Sequence, residues 1–88
     1  MLRASYILRC ADDSLYVGST DDLSARVLKH NEGRASRFTA TRRPVRLAYL
    51  EALMSLEQAR SRERQLKRWT RRKKEALIER DLDLLKRL

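Results

Sequence analysis

One cysteine is all the chain has. Cys10 therefore has no partner for an internal disulfide, and no multi-cysteine zinc site can form. A free thiol fits a reducing compartment. No apolar run is long enough to span a bilayer, and the opening MLRASYILRC carries charge on both sides of a short apolar stretch, unlike a signal peptide. A cytoplasmic protein is expected. Linkers, internal repeats and low-complexity tracts are also missing. One domain over residues 1–88 is expected, with a modest core.

Acidic side chains are the other shortage. Twelve Asp and Glu stand against 21 Lys and Arg, which leaves +9, while a hydrophobic content of 42% argues against disorder. A chain this basic attracts polyanions, and nucleic acid is the usual one. A basic surface kept for solubility is the plainer explanation, but the arginines are clustered and not dispersed. The densest run is Lys67-Arg68-Trp69-Thr70-Arg71-Arg72-Lys73-Lys74. A solvated helix face explains its charges but not its Trp. That ring either stacks on a base or packs in the core, and the general burial of tryptophan favours the core.

Residues 3–10 and 15–19 read as two strands rich in Tyr, Ile, Leu and Val, separated by the turn-forming Ala-Asp-Asp-Ser, hence a β-hairpin. A helix is expected from Asp21 or Asp22 to His30, with Thr20 and the aspartates as caps and Gly33 beyond its end. Residues 31–44 read as a polar, basic loop ended by Pro44. Val45 to Leu53 reads as a third strand with imperfect alternation. Ser55 opens a helix to about Arg68, and Gln58 three residues later makes a capping box. Thr70 caps a helix through Arg80, and Asp81 starts a short one with Leu82, Leu85 and Leu88. The order β-β-α-β-α-α predicts an α+β fold with a three-stranded antiparallel sheet and flanking helices.

Charged residues then fall on the wrong faces. With Leu23 at 0° on a helical wheel, Val27 lies at about 40°, Arg26 at about 300° and His30 at about 340°. Arg26 and His30 are i, i+4 neighbours pointing toward the sheet. In the later helix, with Leu56 at 0°, Glu63 lies at about 340°, inside an arc that also holds Ala59 at about 300° and Leu66 at about 280°. An unpaired carboxylate there is costly, so Glu63 needs a cation. A bound metal ion is one solution. An internal pair with Arg26 or Lys67 is the other, and the wheel alone favours the pair.

Two phenols stand on the hairpin. With an odd number of loop residues Tyr6 and Tyr16 face the same side; a two-residue loop would split them. Strand propensity explains each singly. Gly18 weakens its strand unless another group comes close. If Tyr6, Tyr16, Arg26, His30 and Glu63 converge on one side of the sheet, they contain the parts of a phosphoryl-transfer site. Arg supplies planar donors to phosphate oxygens. A carboxylate holds Mg²⁺, which polarises the phosphate. Tyr or His takes a proton from water, although a phenol with its usual pKa near 10 needs positive charge nearby.

Ala4-Ser5-Tyr6 and Tyr16-Val17-Gly18 resemble the two halves of the GIY-YIG signature, and nearly the full length is similar to the small UPF0213, or YhbQ-like, group of that nuclease superfamily. The stretches that carry the likeness are SYILRCADDSLYVGST, DLSARVLKHN, TRRPVRLAY, ARSRERQLKRW and TRRKKEAL. The resemblance implies a GIY-YIG fold and Mg²⁺- or Mn²⁺-dependent cleavage of duplex or branched DNA, with roles in repair or recombination. It implies a site of Tyr6, Tyr16, Arg26 and Glu63 with His30 as accessory: one tyrosine as general base, Arg26 on the scissile phosphate, Glu63 on the metal. Ala4 and Ser5 replace the motif's glycine and isoleucine. Ser19 stands where some relatives carry lysine. Without the extra DNA-binding domain of other members, DNA is expected to be held weakly through its phosphates and with strong salt dependence. The natural contacts are Arg34, Arg37, Arg42, Arg43, Lys67, Arg71, Arg72 and Lys73, each of which simple solvation also explains. Two other readings remain: a catalytically silent nucleic-acid-binding module, and an adaptor whose C-terminal leucines, Leu82, Leu85 and Leu88, meet a partner, although closing the core is the role expected of them. Glu63 speaks against the first, because a carboxylate facing DNA repels phosphate.

Overall fold

The computed structural model describes residues 3–88. Strands β1 (Ala4–Arg9) and β2 (Leu15–Thr20) form the hairpin, and β3 (Arg46–Ala52) lies on the other side of β1. The sheet is antiparallel with order β2-β1-β3, so β2 and β3 are its edges. Helices α1 (Leu23–Asn31), α2 (Arg37–Ala40), α3 (Leu56–Lys67), α4 (Arg71–Ile78) and α5 (Leu82–Arg87) flank it. The expected α+β class and three-stranded sheet are present.

Central β1 is apolar at successive positions because both its faces are covered. On one face Tyr6 and Leu8 pack with Cys10 and Val45 beneath Leu23 and Val27 of α1. On the other, Ile7 and Val17 pack with Tyr49, Leu66 and Leu77 under α3 and α4. Full burial of Ile7, Leu8 or Leu66 contributes about 1.5–3 kcal/mol each. The imperfect alternation of β3 has a structural cause. Its pairing with β1 shifts register between Ile7↔Tyr49 and Leu8↔Leu47, which leaves Ala48 unpaired. One extra residue moves later side chains to the opposite face. Val45 thus joins the first core cluster and Tyr49 the second.

The helix caps follow the sequence signals. Asp22, Ser55, Thr70 and Asp81 each accept a backbone N–H of the following turn. The Gln58 side chain reaches back, but to the Met54 N–H and not that of Ser55. The region 31–44 departs from expectation: it contains α2, capped by Ser36. One turn is too short to show helical periodicity. Its only sequence signal was the spacing of Ser36 and Thr39, joined by a 3.1 Å bond from the Thr39 N–H to Ser36 Oγ. Among the C-terminal leucines only Leu85 packs against the core; Leu82 and Leu88 are exposed. No helix of the described residues is long and apolar enough to cross a membrane.

Candidate active site

The hairpin loop, Cys10 to Ser14, has an odd number of residues, so Leu8 stands opposite Tyr16 and Tyr6 opposite Gly18. Directly paired residues share a face, and both phenols therefore lie on the α1 side. Glu63 does not. It comes from α3 on the opposite face, where the Ser19 hydroxyl donates to its Oε1. Ser5, paired with Ser19, fixes α3 there by donating to the Ala59 carbonyl at 2.7 Å. The expected convergence on one side of the sheet is thus corrected: the groups meet around the open edge of β2. Gly18 makes the meeting possible. A Cβ at this position would overlap the Tyr6 ring, so only glycine lets that phenol cross the strand. A cleft of about 550 Å³ results, with Tyr6, Tyr16 and Arg26 on one wall and Arg60, Glu63 and Arg64 on the other.

Glu63 is half-buried and its Oε2 lies 2.7 Å from the Lys67 ammonium, a pair that holds the lysine pKa up. Of the two internal partners considered from the sequence, Lys67 is the one found. Arg26 is left without a counter-ion: among the described residues no carboxylate oxygen lies within 4.0 Å of it. A guanidinium free of carboxylate partners is available to an anion.

His30 sits behind the cleft and is 1% exposed. Its Nε2 lies 3.0 Å from the Tyr6 hydroxyl and its Nδ1 2.8 Å from Thr39 Oγ1. Tyr16 meets its ring edge-on at 5.0 Å. Burial pushes the Tyr6 phenol up to about 12, against the pull of Arg26. Burial, with Arg26 and Lys29, lowers the His30 imidazole to about 4. At neutral pH the pair is therefore phenol and neutral imidazole, an O–H donor facing a lone pair. Thr39, on the unforeseen α2, holds the other ring nitrogen and so belongs to the site's support.

The depressed His30 value has a consequence for stability. The unfolded chain binds this proton near pH 6.5 and the folded one only near 4. Stability is fully present above the unfolded value and falls as the pH drops through that window. Between pH 7 and 5 the loss is about 2 kcal/mol. Urea unfolding at the two pH values measures it, and His30→Gln is expected to flatten the difference.

A hard divalent cation fits the donor set in one way. Among the described residues no three His, Cys, Asp or Glu side chains cluster. Glu63, steadied by Ser19, is the one carboxylate placed between the phenols and α3, with Asp21 at the margin of the cleft. Mg²⁺ and similar ions keep most of their waters and need few protein ligands, so a single carboxylate suits them.

The basic side chains expected to meet DNA are used unevenly. Arg42 bonds Asp12 and the Phe38 carbonyl and lies 3.9 Å over the Phe38 ring. Arg43 packs against Gly33 and donates to the Ala40 and Asn31 carbonyls. Arg34 pairs with Glu32, and Arg71 with Asp13 and Glu75. Lys73 lies over Trp69, whose ring packs half-buried against the second core cluster. Arg37 and Arg72 are exposed. Arg60 and Arg64, which the sequence reasoning passed over, line the cleft itself. Their signal was available: on the wheel with Leu56 at 0°, Arg60 at about 40° and Arg64 at about 80° lie on the same side of Glu63, on the border of the apolar arc.

Comparison with known proteins gives a concordant picture. A family model described as the GIY-YIG catalytic domain matches residues 4–76, a span that contains both phenols, Arg26, His30 and Glu63. A UPF0213 protein of Bacillus pumilus is 46% identical over 74 residues, 84% of this chain and 76% of that protein. One from Staphylococcus aureus is 47% identical over 73 residues, 83% of this chain and 89% of its own. The solution NMR structure of a UPF0213 protein from Bacillus halodurans matches at 40% identity with a TM-score of 0.57. A second solution structure, of a protein from E. faecalis, matches at 32% identity with a TM-score of 0.60. Each structural match covers 90% of this chain and 84% of the other.

Proposed function

Starting from a chain that belongs to the GIY-YIG family and within it to the UPF0213 group, we propose that it is a divalent-metal-dependent endonuclease that hydrolyses phosphodiester bonds in DNA. One observation carries the reading: a single cleft holds two phenols, a guanidinium without a carboxylate partner and one carboxylate, brought together across a strand edge where a side chain is excluded.

Arg26 binds the scissile phosphate, its planar donors matching two phosphate oxygens and opposing the charge that grows on them. Glu63 would hold Mg²⁺ or Mn²⁺, which supplies Lewis-acid polarisation of the phosphate and leaving oxygen. The water's proton goes to the Tyr6 oxygen in its phenolate form, the minor form that Arg26 favours, while His30 Nε2 orients that oxygen. Tyr16 closes the wall and packs on the His30 edge, which keeps the imidazole in line. DNA is the partner, held through its phosphates.

A second reading, the catalytically silent binding module, is favoured by one fact: Lys67 already satisfies Glu63 without a metal. Plasmid, branched DNA and single strands incubated with and without Mn²⁺ separate the two. The nuclease reading expects cleavage of at least one substrate only with the ion. Binding to all three with no cleavage under any condition leaves the silent module.

A further inference from the structure

Three cations of α3 share one exposed stripe. With Arg60 at 0°, Arg64 lies at about 40° and Lys67 at about 340°, beside Glu63 at about 300°. Arg60 and Arg64 line the cleft. Lys67 and Lys74 line an adjoining notch of about 220 Å³, walled by Leu15, Val17 and Phe38, that shares Tyr16 with the cleft. The two depressions therefore run end to end along the open edge of β2. Among the described residues neither Arg60 nor Arg64 has a carboxylate oxygen within 4.0 Å, whereas Arg34, Arg42 and Arg71 are paired with acids and Arg43 with carbonyls; Lys67 of the stripe is paired with Glu63, and the exposed Arg37 lines neither depression.

We propose that this stripe, and not the arginines of residues 34–43, is the track that binds the phosphodiester backbone. From Arg60 to Lys67 the helix rises about 10 Å, enough to span more than one phosphate of a strand laid along it. The track ends where Glu57 replaces cation with anion one turn before Arg60. A strand lying on it brings one phosphate between Arg26 and Glu63, beside Arg64, with its neighbours on Arg60 to one side and on Lys67 and Lys74 to the other. The inference takes the identity of the polyanion from the nuclease reading but needs no cleavage.

The test is therefore binding of a fluorescent DNA duplex in EDTA across a salt series, read by anisotropy. Each phosphate contact contributes about 0.9 to the slope of log K against log salt. Arg60→Gln with Arg64→Gln is expected to reduce that slope by about 2. Arg60→Lys with Arg64→Lys keeps the charge and retains the slope, which separates lost contacts from a disturbed helix. Arg34→Gln with Arg37→Gln leaves it unchanged. An unchanged slope in the α3 glutamine pair, an equal loss in the lysine pair, or an equal loss from residues 34 and 37 overturns the assignment. Failure of the nuclease reading shows elsewhere, as no cleavage with Mn²⁺ while these slopes stand.

Discussion

Glu63→Gln is expected to abolish cleavage and to leave DNA binding equal or tighter. Under the proposed function the carboxylate is the cleft's ligand for the cation, and an amide is a poor substitute. A loss on the order of 10³-fold or more, about 4 kcal/mol of transition-state stabilisation, is expected. Binding moves the other way for two reasons. The variant removes a negative charge that faces phosphate, and it releases Lys67 from its 2.7 Å pair. Folding should be unaffected, since Gln keeps an oxygen for the Ser19 hydroxyl and a partly exposed ion pair stabilises by only about 0–1 kcal/mol. Single-turnover cleavage and anisotropy on one preparation read both quantities. Weaker binding with cleavage intact contradicts the role assigned to this residue.

Arg26→Ala is expected to lower the cleavage rate by about 10²–10³-fold, the usual effect of deleting one preorganised donor to transition-state charge. Its thermal unfolding should change little. No carboxylate partner is stranded by the substitution, so the 3–5 kcal/mol penalty of breaking a buried pair does not arise. The Tyr6 phenol loses the cation that pulls its pKa down, so the pH–rate profile should gain its alkaline limb later. Collapse of the fold on this substitution would mean that Arg26 serves structure and not phosphate.

Much of this arrangement is legible in the chain because its signals are local. Caps at Asp22, Ser55 and Thr70 fix helix starts, and the odd length of the Cys10–Ser14 loop decides the common face of Tyr6 and Tyr16. What escaped is non-local or too short to be periodic. The wheel put Glu63 on the apolar side of its helix, but no wheel says which face of the sheet that helix covers. The side depends on the connection through β3 and on the Ser5 and Ser19 hydroxyls beneath α3. The bulge at Ala48 shows in sequence only as a blurred alternation. α2 spans four residues, yet its Thr39 holds His30, and no local pattern ties the two. Arg42 and Arg43 look like DNA contacts by composition, but carbonyls, Asp12 and the Phe38 ring occupy them. Composition reports how many cations exist, and only folding decides which are left free.

The proposed function requires that Glu63 hold a divalent ion in the cleft lined by the two phenols. Titrating ¹⁵N-labelled protein with Mn²⁺ and following paramagnetic broadening of the amide resonances tests that seat without any assumption about substrate. The first signals to vanish should be those of Ser19, Thr20 and residues 62–64. Broadening that begins instead at the Asp12–Asp13 turn or at Asp81–Asp83, with the cleft amides still sharp, would contradict it.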